Sequence, residues 1–379
     1  MKNTKVNGDL IKKYHEDLVY NYSEYPTKDN WDYEFKDLEY KKSLNDWLPR
    51  NIDEPIIFYV HTPFCEQLCY FCTCSKLITK NYENVKNYLY QSLFKEIDLL
   101  FDFLEKNKIK LNVKEIFFGG GSPTYYKPDD FKALVDKLKS KFDFSNMGDF
   151  TVEIDPRRVD EERLLFYNTC GVNRLSFGVQ EFDLNVQKRI NRVQPPELFH
   201  KILTKKVREI YKTFNFDLLI GLPGQTNESM AKTMDKVIEI RPTQLQPALV
   251  AYKPWIAKYQ IKMVKDGPLP DFFDRKQLFE IVNEKLLKAG YKRAGFESYV
   301  LPNDPIAIAR KEKKALFNSL GLQKGAATNF VSVGSSAKGS LGDDYYSHNC
   351  YSTTMYKQLL DEEKLPIYKG MKLTKDDKI

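Results

Sequence analysis

From residue 55 onward, short apolar runs alternate with longer amphipathic segments. The apolar runs are rich in Ile, Val, Leu and aromatic residues, which is typical of buried parallel strands. We predict strands at residues 55–62, 115–118, 150–154, 174–179, 214–220 and 244–250. Apolar residues on one face predict helices at residues 83–106 and from 128. The same rhythm continues with helices predicted from 160, at 183–191, at 227–240 before Pro242, and at 274–289 before Gly290. Six strand–helix units restrict the α/β fold to an incomplete (β/α) barrel or a doubly wound parallel sheet.

Both ends of the chain lack this alternation. Residues 1–54 are polar, charged and aromatic, and we interpret them as an N-terminal arm with helical turns. The alternating part is assigned to residues 55–300, with a short strand near 291–296, and residues 301–379 form a C-terminal extension. Within that extension, residues 311–317 are predicted to be helical, and residues 333–344, rich in Gly and Ser, are typical of a loop.

Composition excludes several classes of protein. The chain has 379 residues, of which 42% are hydrophobic, so it is not a disordered chain. Its net charge of +7 is far from that of a nucleic-acid-binding tail, and no apolar run approaches the roughly 18 residues that a membrane span needs. The first residues lack the apolar region of a signal peptide. We therefore expect a cytoplasmic protein without nucleic-acid or membrane partners.

Four of the six cysteines lie within ten residues, directly after the first predicted strand. Cys65, Cys69 and Cys72 have the spacing C-x3-C-x2-C, and Cys74 follows. Three thiolates can hold three irons of a 4Fe-4S cluster and leave the fourth iron open to an exogenous ligand. The alternative is a structural zinc site with Cys74 as fourth ligand, although that spacing is short for tetrahedral closure.

The segment YVHTPFCEQLCYFCTCSK, which contains this motif, resembles the radical S-adenosylmethionine enzymes. More closely, the sequence is similar to the oxygen-independent coproporphyrinogen III oxidase family. The similarity is dense over residues 55–255 and loose over 256–379. It is carried by the segments FFGGGSPTY (117–125), VEIDPR (152–157), NRLSFGVQEF (173–182), INRVQ (190–194), DLLIGLPGQT (217–226) and VAYKP (250–254).

The resemblance implies a partial (β/α)6 barrel that holds a 4Fe-4S cluster on three cysteines and two S-adenosylmethionine molecules. It also implies one-electron cleavage of S-adenosylmethionine to a 5′-deoxyadenosyl radical, which takes a hydrogen atom from a propionate of a porphyrinogen. Loss of carbon dioxide and one electron then leaves a vinyl group, as in haem biosynthesis. The implied partners are the porphyrinogen and a low-potential electron donor of the flavodoxin or ferredoxin type, and the protein is expected to be a monomer.

The resemblance also assigns cofactor-binding residues at the predicted strand ends. Glycines let the backbone approach a ligand, a carboxylate in an apolar strand needs a partner, and a guanidinium pairs with carboxylates. The implied contacts to the first S-adenosylmethionine are Tyr59, Gly120 and Glu153. Those to the second are Phe71, Gly121, Ser122, Gln180, Arg192, Asp217 and Ala251.

No catalytic residue is assigned from the sequence. Tyr59 and His61 are candidates because both face one side of the first strand, but a lone histidine on a strand is more often packed and hydrogen-bonded. The basic side chains of Arg157, Arg174 and Arg192 could attract the carboxylates of a substrate, although general solubility is the alternative reason for a basic excess.

Several positions depart from the family pattern. Lys338 stands where the family has an aliphatic residue beside the first cofactor, and residues 295–299 and 317–325 differ from the usual substrate-side segments. Family members continue into a C-terminal helical domain, so the extension is expected to be shortened. The class of enzyme is retained, but three other functions stay open: a related radical methyltransferase acting on haem or another substrate, a non-enzymatic haem-binding relative, and a structural zinc protein.

Overall fold

A computed structural model of the protein describes residues 25–318, 320–324 and 327–378. The first 24 residues of the predicted arm lie outside the described residues. Twelve of the described strands form one sheet. The strands are β1 (Ile56–Thr62), β2 (Val113–Gly120), β3 (Phe150–Ile154), β4 (Arg174–Gln180), β5 (Thr213–Ile220), β6 (Gln244–Leu249), β7 (Lys292–Arg293), β8 (Tyr299–Val300), β9 (Leu316–Asn318), β10 (Gly321–Gln323), β11 (Asn329–Val333), β12 (Lys338–Leu341), β13 (Tyr345–Asn349) and β14 (Ile367–Lys372). All of these but β9 and β10, which pair with each other, belong to the large sheet. Two further short strands, Phe64–Cys65 and Leu77–Ile78, form a separate parallel pair.

The first six strands are parallel and pair in chain order, from β1 to β6. The outer edge of β6 pairs with β8, and that of β1 pairs with β11, so the six strands do not close on one another. Strand β1 is buried at every position but one and has a neighbouring strand on each edge, as expected of a central strand in a parallel sheet. The sheet confirms the predicted α/β fold with six parallel strands.

Helices connect successive strands. They are α1 (Asp37–Arg50), α2 (Tyr82–Tyr88), α3 (Phe94–Lys106), α4 (Pro128–Lys139), α5 (Glu161–Thr169), α6 (Leu184–Arg189), α7 (Glu197–Ile202), α8 (Lys205–Ile210), α9 (Asn227–Ile240), α10 (Phe272–Lys288), α11 (Pro305–Lys311) and α12 (Thr353–Asp361). A π-helical turn at Leu89–Leu93 separates α2 from α3, where one continuous helix is predicted. Helix α9 has the predicted bounds because Thr226 caps its first turn and Pro242 follows its end.

The C-terminal strands extend the β1 edge of the same sheet. Strand β11 runs parallel to β1, and β12, β13 and β14 continue antiparallel. The prediction of a helix at residues 311–317 is wrong, because α11 starts earlier, at Pro305 beside the cap of Asp304, and residues 316–318 are β9. The loop predicted at residues 333–344 contains β12, whose small and polar residues give no local strand signal.

A buried carboxylate ties α3 to this C-terminal edge. Glu96 is 2% exposed and accepts hydrogen bonds from the N–H of Gly334 and from Asn349 Nδ2, both at 2.6 Å, and from the hydroxyl of Tyr356. Burial raises the pKa of Glu96 to about 7. Because a buried carboxylate without donors would be costly, these three bonds fix the C-terminal strands against the helix.

Candidate active site

The three cysteines of the C-x3-C-x2-C motif lie in the segment after β1, with Cys65 in the short strand Phe64–Cys65 and Cys69 and Cys72 on the loop that follows it. The loop is fixed at its far end because the N–H of Leu77 donates to the carbonyl of Pro63 at 2.6 Å, and at its centre because Cys72 donates to the carbonyl of Cys69 at 3.2 Å. Cys69 is buried, and Cys65 and Cys72 are partly buried. All three line one cavity of about 490 Å³ at the carboxyl ends of the parallel strands.

Glycines at the end of β2 form one wall of this cavity. The N–H of Gly121 donates to the carbonyl of Thr62 at 2.6 Å. A Cβ on Gly121 would lie 2.7 Å from the carbonyl oxygen of Phe64, and Gly120 has φ +109° with the ring of His61 2.7 Å from where a Cβ would stand. Only glycine fits at these positions, so backbone groups are exposed to the cavity.

Two buried carboxylates face the cavity from β3 and β5. Glu153 Oε2 accepts the N–H of Gly120 at 3.0 Å. Burial raises the pKa of Glu153 to about 8, and the nearby carboxylate of Asp217 adds to the shift. Burial also raises the pKa of Asp217, although Asn215 Nδ2 and the hydroxyl of Ser176 donate to it at 2.7 and 3.0 Å. Two buried carboxylates that face one cavity favour a cationic partner.

Two arginines surround the buried sulfur of Cys69. Arg192 Nη1 lies 3.6 Å and Arg157 Nη2 lies 3.8 Å from Cys69 Sγ. Both arginines also contact Asp155, Arg157 through two bonds of 2.9 and 2.7 Å and Arg192 at 3.6 Å. Burial raises the pKa of Asp155, but the two guanidinium groups outweigh burial and hold the pKa at about 2. The wall around Cys69 is therefore a fixed array of positive donors.

The comparisons with known proteins agree with this geometry. The model of the radical SAM superfamily matches residues 59–237. The oxygen-independent coproporphyrinogen III oxidase of Pseudomonas aeruginosa is 33% identical over 376 residues, which cover 98% of this chain and 80% of that protein. The enzyme of the same name from Escherichia coli K12 is 32% identical, over 97% of this chain and 78% of that protein. The chain belongs to the oxygen-independent coproporphyrinogen III oxidase family.

The solved structure of coproporphyrinogen III oxidase from Escherichia coli, described as a radical SAM enzyme, supports this membership. It superposes with a TM-score of 0.86 at 31% identity, over 98% of this chain and 81% of that chain. The match confirms the predicted radical SAM fold. No helix in the described part of the chain is long and apolar enough to span a membrane.

Membership of the radical SAM superfamily implies a 4Fe-4S cluster and S-adenosylmethionine. The donor set fits a cluster, because three thiols and two guanidinium groups that can donate to thiolate sulfur meet at one cavity. Within residues 25–318, 320–324 and 327–378, no three His, Cys, Asp or Glu side chains are grouped closely enough to hold one metal ion.

Most of the predicted cofactor-binding residues lie around the same cavity as the cysteines. Of the predicted residues, those that line it are Phe71, Gly120, Gly121, Ser122, Glu153, Gln180, Arg192 and Asp217. Tyr59 and Ala251 do not appear among its lining residues, and the carbonyl of Ala251 accepts a hydrogen bond from Gln260 Nε2 at 2.9 Å. The geometry thus brings eight of the ten together, and Gly120, Glu153 and Gln180 reach the cavity from the carboxyl ends of their strands.

The two catalytic candidates hydrogen-bond to each other. His61 Nε2 lies 3.1 Å from the carbonyl oxygen of Ser75, so this nitrogen carries the proton, and Nδ1 accepts from the hydroxyl of Tyr59 at 3.0 Å. Burial lowers the pKa of His61 to about 4, which keeps the ring neutral. Both nitrogens of His61 are therefore engaged in positioning Tyr59 and the cysteine loop.

Two charged residues that the sequence connects with the site line other cavities. Arg174 donates to Gln244 Oε1 at 2.6 Å and lines a neighbouring cavity rather than that of the cysteines. Lys338 pairs with His348 across β12 and β13 and lines a third cavity beside the N-terminal helix. Lys76 was not predicted, although it follows the cysteine motif directly, and its Nζ donates to the carbonyls of Cys72 and Cys74.

Replacing Gly120 by alanine is expected to lower the free energy of unfolding by about 2 kcal/mol or more, because positive φ strains an alanine and the His61 ring stands in the way. Gly290→Ala is the matched control, since its φ is +91° and nothing lies within 4 Å of the added Cβ. The two values, measured by urea denaturation, separate strain from steric conflict. Equal losses in both variants would contradict a close approach of His61.

Proposed function

We propose that the protein catalyses the oxygen-independent oxidation of coproporphyrinogen III, converting propionate side chains to vinyl groups. The observation that carries the proposal is similarity in sequence and fold over 98% of the chain to an enzyme of that name. Each conversion removes a hydrogen atom, one electron and carbon dioxide from one propionate. It therefore requires a low-potential one-electron donor, of the flavodoxin or ferredoxin type, to start the reaction and a one-electron acceptor to complete it.

The residues that would hold the cluster are Cys65, Cys69 and Cys72, which leaves one iron without a protein ligand. The chemistry supplied by the bound cofactors is one-electron cleavage of a sulfonium to give methionine and a hydrogen-abstracting 5′-deoxyadenosyl radical. The contribution of the chain is to bind and orient. Phe71 extends the apolar part of the cavity wall, and the arginines around Cys69 and the glycine backbone complete that wall.

Two adjoining cavities support the binding of two S-adenosylmethionine molecules. The second cavity, of about 350 Å³, shares Glu153, Ser176 and Asp217 with the cavity of the cysteines. The buried carboxylates thus stand between the two spaces, where each can face the ammonium or sulfonium charge of a cofactor. Gln180 and Arg192 remain on the cysteine side, with amide and guanidinium groups suited to a carboxylate.

The test is an anaerobic incubation of the reconstituted protein with S-adenosylmethionine, dithionite and coproporphyrinogen III. We expect carbon dioxide, 5′-deoxyadenosine and a product with vinyl groups, and none of these without S-adenosylmethionine. S-adenosylhomocysteine with a methylated product would instead support a methyltransferase, and tight haem binding without turnover a haem-binding relative. Zinc in place of iron and sulfide would overturn the cluster assignment. A monomer in the cytoplasm stays a prediction, which size exclusion and cell fractionation would test.

A further inference from the structure

The side chain of Arg157 links a carboxylate to a proposed cluster ligand. Its guanidinium makes a bidentate pair with Asp155, with Nε and Nη2 at 2.9 and 2.7 Å from the two carboxylate oxygens. The same Nη2 lies 3.8 Å from Cys69 Sγ, and Nη1 lies 3.3 Å from Gln67 Oε1. Every nitrogen of this guanidinium therefore has a partner on the cavity wall.

The pair is rigid because its carboxylate is itself fixed. Asp155 follows β3 and accepts the N–H of Arg157 at 3.1 Å, so backbone and side chain of the same arginine hold one carboxylate. Both side chains are largely buried, with 18% of Arg157 and 12% of Asp155 exposed. Since a bidentate guanidinium keeps its geometry better than a single surface contact, the donor next to Cys69 is pre-organised.

We propose that Arg157 is a positioning residue that raises the reduction potential of the cluster by donating a hydrogen bond to the sulfur of Cys69. The inference rests on the proposed function, because it requires Cys69 to be a cluster ligand. A reduced cluster carries one more negative charge than an oxidised one, and a positive donor on its sulfur stabilises the reduced form more. Arg192, in the segment after α6, donates to the same sulfur at 3.6 Å.

This role differs from attraction of substrate carboxylates, for which the sequence made Arg157 a candidate. Asp155 already satisfies two nitrogens of the guanidinium, so a second carboxylate would have to displace a buried ion pair. The contact between Arg157 and the sulfur of Cys69 exists while the ion pair with Asp155 stays in place. Asp155 thus acts as the anchor that turns Arg157 toward Cys69 rather than toward the open side of the cavity.

The test compares the midpoint potential of the cluster in three variants and the wild type, by anaerobic titration followed by electron paramagnetic resonance. Arg157→Gln should lower the ratio of reduced to oxidised cluster about tenfold at a fixed ambient potential, equivalent to about 59 mV for one electron. Arg157→Lys keeps the charge but loses the planar fork, and should show most of the same change. Iron and sulfide contents should stay at the wild-type level in both.

The control is Arg158→Gln, which removes an equal charge from the next residue. Arg158 lines the same cavity, but its guanidinium pairs with Glu66 and lies 5.0 Å over the ring of Tyr125. It should change the ratio less than about threefold, because the pair with Glu66 and the solvent screen its charge. A shift as large as that of Arg157→Gln would mean that charge alone sets the potential and would overturn the inference.

A second measurement addresses the bond itself. The iron–sulfur stretching bands in the resonance Raman spectrum of the wild type should shift in D₂O, and the shift should shrink in Arg157→Lys. An unchanged potential with a full cluster in both Arg157 variants overturns the inference and leaves the proposed function intact. Loss of the cluster in both variants also overturns the inference, because Arg157 would then be needed for cluster assembly. A wild-type protein that holds no cluster overturns the proposed function instead.

Discussion

Replacing Cys65, Cys69 or Cys72 singly by alanine is expected to remove the cluster and to lower 5′-deoxyadenosine formation by well over a hundredfold. Loss of an outer partner of a metal site costs about 10–100-fold, and loss of a ligand should cost more. The cysteines lie on a loop, and Cys65 and Cys72 are partly exposed, so the fold should survive the change. The effect is measured on anaerobically reconstituted protein by iron and sulfide analysis, by the visible absorbance of the cluster and by assay of 5′-deoxyadenosine.

Cys74→Ala is the matched control because Cys74 lines the same cavity, two residues after the motif, but its side chain is exposed. The variant should keep most of its iron and its activity. A full cluster in Cys69→Ala would refute the ligand assignment, and loss of the cluster in Cys74→Ala would require a fourth thiolate. Circular dichroism of each variant shows whether the fold is retained, so that unfolding is not mistaken for loss of a ligand.

The fold could be predicted where the signal is local. Strand β3 and helix α9 have the predicted bounds, because apolar periodicity, the cap of Thr226 and Pro242 all lie within a few residues of the elements that they define. The C-terminal strands could not be predicted in this way. Strand β12 has the sequence Lys-Gly-Ser-Leu, and its extended conformation is stabilised by pairing with β11 and β13. The position of β11 is set in turn by its pairing with β1, which lies far away in the chain.

The candidate site follows the same division. Side chains at the carboxyl ends of parallel strands converge, so the cysteine loop, Gly120 and Glu153 could be placed together from the sequence. Asp217 lies in the middle of β5, and only the family resemblance placed it at this site. The link between Asp155, Arg157 and Cys69 could not, because it requires the turn after β3 to meet the loop after β1. The sequence Asp-Pro-Arg directly after a predicted strand indicates an ion pair between Asp155 and Arg157. It does not indicate that Arg157 also contacts the sulfur of Cys69.

Glu153→Gln is expected to weaken S-adenosylmethionine binding to the cluster-loaded protein about a hundredfold at pH 8, because a buried carboxylate that faces a cation loses its charge. Anaerobic equilibrium dialysis measures the affinity. Glu66→Gln is the control, since Glu66 lines the same cavity but is only partly buried and already pairs with Arg158. It should change the affinity less than about threefold, because Arg158 and the solvent screen the charge of this carboxylate. Equal effects in the two variants would show that Glu153 does not contact the cofactor.

The pH dependence of binding gives a sharper result. Burial raises the pKa of Glu153 to about 8, so the free site carries a proton at pH 7 that a cation must displace. The apparent association constant should therefore rise about tenfold per pH unit from pH 6 to 8 and level off above pH 8. In Glu153→Gln the part of this rise that comes from deprotonation of Glu153 should disappear. Protons released by the cofactor itself affect both proteins equally, so the difference between the two slopes isolates Glu153.

Asp217 provides the decisive variation, because its carboxylate contributes to the raised pKa of Glu153. Asp217→Asn removes that repulsion, so Glu153 should ionise at a lower pH and the plateau should begin below pH 8. The slope below the plateau should remain. If Asp217 rather than Glu153 held the displaced proton, Asp217→Asn would abolish the slope and Glu153→Gln would only shift it. The two variants together thus show which carboxylate meets the positive charge of the cofactor.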